Sequence, residues 1–91
     1  MTSKQVKIIN NEGMHMRPAG LIAQIAKSDP DCIVTLIANG QEISAKSVMK
    51  LMAAGMKKGT DVEIRCVGGS EQKILDEIAA LFEEGFGETV D

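Results

Sequence analysis

Apolar and polar positions alternate from Lys4 to Ile9, with Val6 and Ile8 facing one way and Gln5 and Lys7 the other, which predicts a first strand that "NNEG" then breaks. After His15 the period changes. Leu21, Ile22, Ile25 and Ala26 form one apolar stripe at helical spacing, Pro18 suits the first turn, and "SDPD" stops the helix after Lys27. Cys32 to Ala38 and Gln41 to Ser44 read as two strands joined by Asn39-Gly40, whose tolerance of positive φ is what a tight hairpin needs. A short second helix follows Ser47, buries Val48, Leu51 and Met52, and ends at Gly55, suited to a left-handed cap.

"DVEIRCV", from Asp61 to Val67, alternates cleanly: Val62, Ile64 and Cys66 lie on one side, Asp61, Glu63 and Arg65 on the other. One face of the sheet is therefore wet. A last helix starts near Ser70, carries Ile74, Leu75, Ile78, Leu81 and Phe82, and frays at "EEGFGETVD". The order β-α-β-β-α-β-α, with one exposed sheet face and amphipathic helices for the other, predicts an α+β fold of two layers in a single domain spanning residues 1–91. Periodicity does not order the strands, and a ferredoxin-like arrangement stays open on this argument.

Composition narrows the function. A chain of 91 residues builds a core but no deep catalytic cleft, so its chemistry belongs on the surface. A net charge of -3 and 2% aromatic residues argue against nucleic acid as a partner. No apolar run approaches the roughly 20 residues that cross a bilayer, and the polar start "MTSKQVKIINNEG" does not resemble a signal peptide, which predicts a cytoplasmic protein. Cys32 and Cys66 lie far apart within strand-like runs and read as buried free thiols; with Glu12 the nearest carboxylate in sequence to His15, no metal or cofactor site is expected.

His15 is the only histidine, set in "GMHMRPAG" at the start of the first helix. There the free amides of Met16 and Arg17, the positive end of the helix dipole and the Arg17 guanidinium converge on an anion beside the imidazole. Pro18 lacks a donor that would have gone unused, fixes φ for the first turn and steers Arg17 away from helical geometry. With no second acid or base expected beside it, the exposed imidazole suits a nucleophile that takes a phosphoryl group better than a general base. The bland reading is a surface histidine at a helix start.

These residues resemble the active-site motif G-(L/I)-H-x-R-P-A of the HPr family, the histidine-containing phosphocarriers of the bacterial phosphoenolpyruvate:sugar phosphotransferase system. A second block, "AKSVMKLMAAGMKKGTDVEI" from Ala45 to Ile64, resembles that family's regulatory-serine helix and the turn into the fourth strand. The resemblance implies an open-faced β-sandwich with antiparallel strand order 1-4-2-3 and three helices on one face. It implies that His15 accepts a phosphoryl group at Nδ1 from phosphorylated enzyme I, that Arg17 neutralises it, and that the IIA components of sugar permeases receive it. The docking patch carried over is Met16, Gly20, Gln24, Val48, Met49 and Met52, rimmed by Lys27 and Lys50, on a protein acting as a monomer. Methionines repack readily against several partners.

Met14 and Met16 stand where the family usually has Leu or Ile and Ala or Thr, and Gly20 replaces a common Ala. Ser47 reads first as the cap of the second helix. In some members of the family this serine is also phosphorylated by an ATP-dependent HPr kinase/phosphorylase and then serves a catabolite-control regulator; "KSVMKLM" resembles both the regulated and the enteric types. Two other functions stay open: a phosphorelay of the nitrogen-related HPr paralogue, and a purely regulatory binding module, which the presence of His15 disfavours.

Overall fold

The four alternating stretches form β1 (Thr2–Lys7), β2 (Ile33–Ala38), β3 (Gln41–Ser44) and β4 (Asp61–Val67), in a computed structural model that describes residues 1–91. They make one antiparallel sheet in the order β1-β4-β2-β3. The open-faced arrangement replaces the ferredoxin-like alternative left by periodicity. β4 keeps its expected bounds; β1 lies earlier than expected, so Ile8 falls just beyond it. Ile8 is nevertheless fully buried, and its backbone still pairs with Gly59 and Thr60 at 2.7 and 3.0 Å.

The helices are α1 (Met16–Lys27), α2 (Val48–Ala53) and α3 (Glu71–Glu83). Their apolar stripes meet the inward residues of the sheet, Val34, Leu36, Ile43, Val62, Ile64 and Cys66, in one core with Ile22, Leu51, Ile74, Ile78 and Phe82. The opposite face is wet, as the alternation of β4 predicts, and carries the Arg65–Glu63 pair at 3.1 Å. The hairpin turn places Asn39 and Gly40 at φ 53° and 74°, the left-handed conformations that a tight turn between twisted strands requires. Cys32 and Cys66 are free and buried; burial first, then the neighbouring Cys32 thiol, pushes Cys66 up to about 12 and leaves it protonated.

Two expectations fail. In α2 only Leu51 is buried, while Val48 is half-buried and Met52 is 40% exposed, because a helix of six residues presents little more than one inward position. The chain after α3 does not fray. Gly85–Gly87 make a 3-10 turn that buries Phe86 edge-on to Phe82, with ring centroids 4.9 Å apart. Phe86 holds φ at 57°, a conformation costly for a bulky residue, and its buried ring supplies the compensating packing. The last residues then cross the start of α1: Asn11 N–H donates to the Thr89 carbonyl at 3.0 Å, and Lys58 donates to the Asp91 carbonyl at 2.7 Å. No helix is long and apolar enough to cross a membrane.

Candidate functional site

The loop before α1 is set by one close approach. Gly13 sits at φ +65°, and a Cβ there would fall 2.7 Å from the Met56 carbonyl oxygen, the same oxygen that accepts from Met14 N–H at 2.9 Å. Met14 is buried beneath the loop, so the chain leaves the core at His15. His15 is the N-cap of α1, extended at φ -105° and ψ -167°; its carbonyl accepts from Ala19 at 3.1 Å, but its side chain makes no capping bond. Arg17 is helical, against the expectation that Pro18 would steer it away, so the amides of Met16 and Arg17 both lie in the first turn, where no intrahelical carbonyl reaches them, and Pro18 contributes no donor. The positive end of α1 therefore faces the surface beside the imidazole.

The imidazole is half-exposed, its side chain 36% accessible, and a second ionisable group does lie against it. The expectation of none is overturned by Glu88, 73 residues away in sequence, whose two carboxylate oxygens each stand 2.8 Å from His15 Nε2. Nδ1 makes no hydrogen bond to the protein. Glu88 is only 17% accessible and also accepts from the Asn10 amide at 2.9 Å. The hydrogen bond from His15 and, against the opposing cost of burial, those from Asn10 and Arg17 hold its carboxyl below the usual value of 4.5. Asn10 is fully buried and donates also to the Gly13 carbonyl at 2.9 Å, tying the loop to the C-terminal strap.

Arg17 reaches the same strap. Its guanidinium donates to the Phe86 carbonyl at 2.6 Å and stands 3.5 Å from Glu88, while remaining more than half exposed beside His15. Asn11, Glu12 and Thr89 complete an open cleft around His15 and Glu88. Asn10 and Glu88 are the site residues that sequence reasoning missed. The available signal was Phe86, a lone aromatic residue between two glycines in a segment otherwise polar enough to leave the surface.

Ser47 caps α2 as expected, accepting from the Lys50 amide at 3.2 Å. Of the residues carried over for docking, Met16 and Met49 are 69% and 82% exposed, and Gln24, Lys27 and Lys50 are exposed as well. Gly20 and Val48 are half-buried on the two helices, which pack against each other. A Cβ at Gly20 would meet nothing within 4 Å, so its lack of a side chain answers no crowding.

The open-faced β-sandwich thus presents one imidazole and one arginine together at a helix start without a side-chain cap. Residues 2–84 match the PTS-HPr family, described as the PTS HPr component phosphorylation site. The chain is 37% identical over 84 residues to phosphocarrier protein HPr of Vibrio cholerae, covering 92% of this chain and 98% of the relative. It is 35% identical over 89 residues to phosphocarrier protein NPr of Escherichia coli K12, covering 97% and 99%. The crystal structure of HPr-C-His from Thermoanaerobacter tengcongensis superposes with a TM-score of 0.91 at 29% identity, covering 99% of this chain and all of that one. The chain belongs to the HPr family: it is a phosphocarrier of the phosphotransferase system and not an enzyme in itself.

Proposed function

We propose that His15 carries the phosphoryl group on Nδ1, taking it from phosphorylated enzyme I and giving it to IIA components of sugar permeases. The observation that supports this reading most is the start of α1, where an imidazole that caps nothing has Nδ1 free and Nε2 engaged by Glu88. The free amides of the first turn and the Arg17 guanidinium supply charge stabilisation, and the partners supply the rest of the transfer machinery. Met16, Gly20 and Gln24 of α1 with Val48, Met49 and Met52 of α2 form the docking surface, with Lys27 and Lys50 as its basic rim. In this reading the protein works as a cytoplasmic monomer. Incubation with enzyme I, phosphoenolpyruvate and Mg²⁺ should add one acid-labile, base-stable phosphoryl group by mass, absent from a folded His15→Ala variant. A His15→Ala protein that still gains acid-labile phosphate sinks the assignment.

Ser47 takes a regulatory role in the same reading. A phosphate there meets a helix start that tolerates it, yet adds a charge of about -1.5 to -2 beside Val48, Met49 and Met52. HPr kinase/phosphorylase and a catabolite-control regulator are the corresponding partners. Ser47→Asp should keep its melting temperature and be phosphorylated at His15 far more slowly; transfer at the parental rate would leave Ser47 a cap only. A second reading, in which the relay is the nitrogen-related branch, rests on identities to HPr and NPr, 37% and 35%, that do not separate the two. Parallel rate measurements with the enzyme I of each branch separate the two, the faster donor naming the branch.

A further inference from the structure

Glu88 reaches His15 through a built arrangement. The buried Phe86 ring anchors the strap, Arg17 holds the Phe86 carbonyl at 2.6 Å, and the fully buried Asn10 bonds both Glu88 and the Gly13 carbonyl at 2.9 Å. An ionised carboxylate only accepts, so at 2.8 Å from both Glu88 oxygens Nε2 must donate. A neutral ring with its proton on Nε2 has its lone pair on Nδ1.

We propose that Glu88 is a positioning residue for phosphoryl transfer: it holds His15 in the Nε2–H tautomer and keeps that proton on the ring while Nδ1 carries the phosphoryl group. The proposal rests on His15 being the acceptor. On loading, the Nδ1 lone pair forms the N–P bond as the bond from phosphorus to the donor breaks, and the donor leaves with that electron pair. The ring then bears a positive charge shared with Nε2–H, which the Glu88 carboxylate faces. On unloading, the acceptor's nucleophile bonds to phosphorus, the N–P pair returns to Nδ1, and the neutral Nε2–H ring is restored. A loaded ring that had lost its Nε2 proton would have to depart as an imidazolate anion, a far poorer leaving group. By retaining the proton, Glu88 favours transfer in both directions, as a carrier requires. The other charged groups around the ring are Arg17 of α1 and Glu12 of the loop; Glu12 lines the cleft without a hydrogen bond to the imidazole.

The test uses the full chain, with ¹⁵N-labelled histidine, as parent, Glu88→Gln and Glu88→Ala. Two-bond ¹H–¹⁵N correlation spectra in alkaline solution read the tautomer. Inorganic phosphoramidate as donor reads the loading rate without any partner protein. The parent should show the Nε2–H form almost alone and Glu88→Ala a mixture, with loading slowed roughly tenfold, by analogy with the low end of the cost of removing the outer hydrogen-bond partner of a metal-ligating histidine. Glu88→Gln, which keeps an acceptor oxygen but not the charge, should hold the tautomer and load at an intermediate rate. A parent ring protonated at Nδ1 overturns the proposal. So does a Glu88→Ala protein with parental tautomer or parental rate, including one whose only change is a lower melting temperature. The tautomer is read on unphosphorylated protein, so a phosphorylated His15→Ala variant would end the carrier reading while leaving this result to stand alone.

Discussion

Two helices of this protein begin with a polar residue in extended conformation, and the two side chains turn opposite ways. Ser47 turns inward and accepts from the Lys50 amide at 3.2 Å; His15 makes no capping bond and turns to Glu88 at 2.8 Å. The first satisfies an amide that the helix itself cannot pair. The second leaves such amides free, with Arg17 beside them, for an anion from solution. A helix start can thus serve stability or chemistry. α1 compensates for its missing cap by other means: a buried Met14 before it, and a C-terminal strap whose Phe86 is packed in the core.

Exchanging these roles gives the largest expected effect. His15→Asp should supply the cap that α1 lacks, raise stability by up to about 1 kcal/mol in thermal melts, and abolish phosphoryl transfer altogether. Arg17→Glu comes next, because it places negative charge where the proposed carrier role seats the phosphoryl group. It should slow transfer by roughly 100-fold in rapid-quench experiments, while calorimetry shows a smaller loss of affinity for enzyme I. At α2 the balance reverses: Ser47→Ala should cost about 1 kcal/mol of stability and leave the transfer rate nearly parental.

The smallest effect is in acid. Glu88 titrates below its ordinary 4.5 in the folded protein, so its contribution to stability is fully present above that value and is lost as pH falls through the lower folded-state value. Hydrogen exchange at the Asn11 amide, which donates to the Thr89 carbonyl, and at the Asp91 amide, which donates to Asn11 Oδ1, should therefore accelerate as pH drops through this range, beyond the intrinsic pH dependence of exchange, and Glu88→Gln should remove that excess.

The same contrast marks what the chain makes legible. Ser47 and Lys50 sit three residues apart, and the hairpin at Asn39-Gly40 is equally local, so pattern and turn chemistry find both. β4 is legible because each of its residues obeys one two-residue period against a single apolar layer. Strand order needed the family resemblance, since alternation says which face is buried and nothing about neighbours. The strap escaped because "GFGE" has no period and two glycines, the usual marks of a fraying end, while its partners Asn10, His15 and Arg17 lie about seventy residues earlier. Contacts that distant are set by the assembled core and leave only a single buried aromatic as a trace in the sequence.

The central claim is that the freed imidazole of His15 presents Nδ1 for phosphoryl transfer while Nε2 stays with Glu88. Phosphorylating ¹⁵N-histidine-labelled protein with enzyme I and phosphoenolpyruvate, and reading ³¹P–¹⁵N coupling in the ring, tests it directly. The account predicts phosphorus bonded to Nδ1 with a proton retained on Nε2. Phosphorus bonded to Nε2 would contradict it.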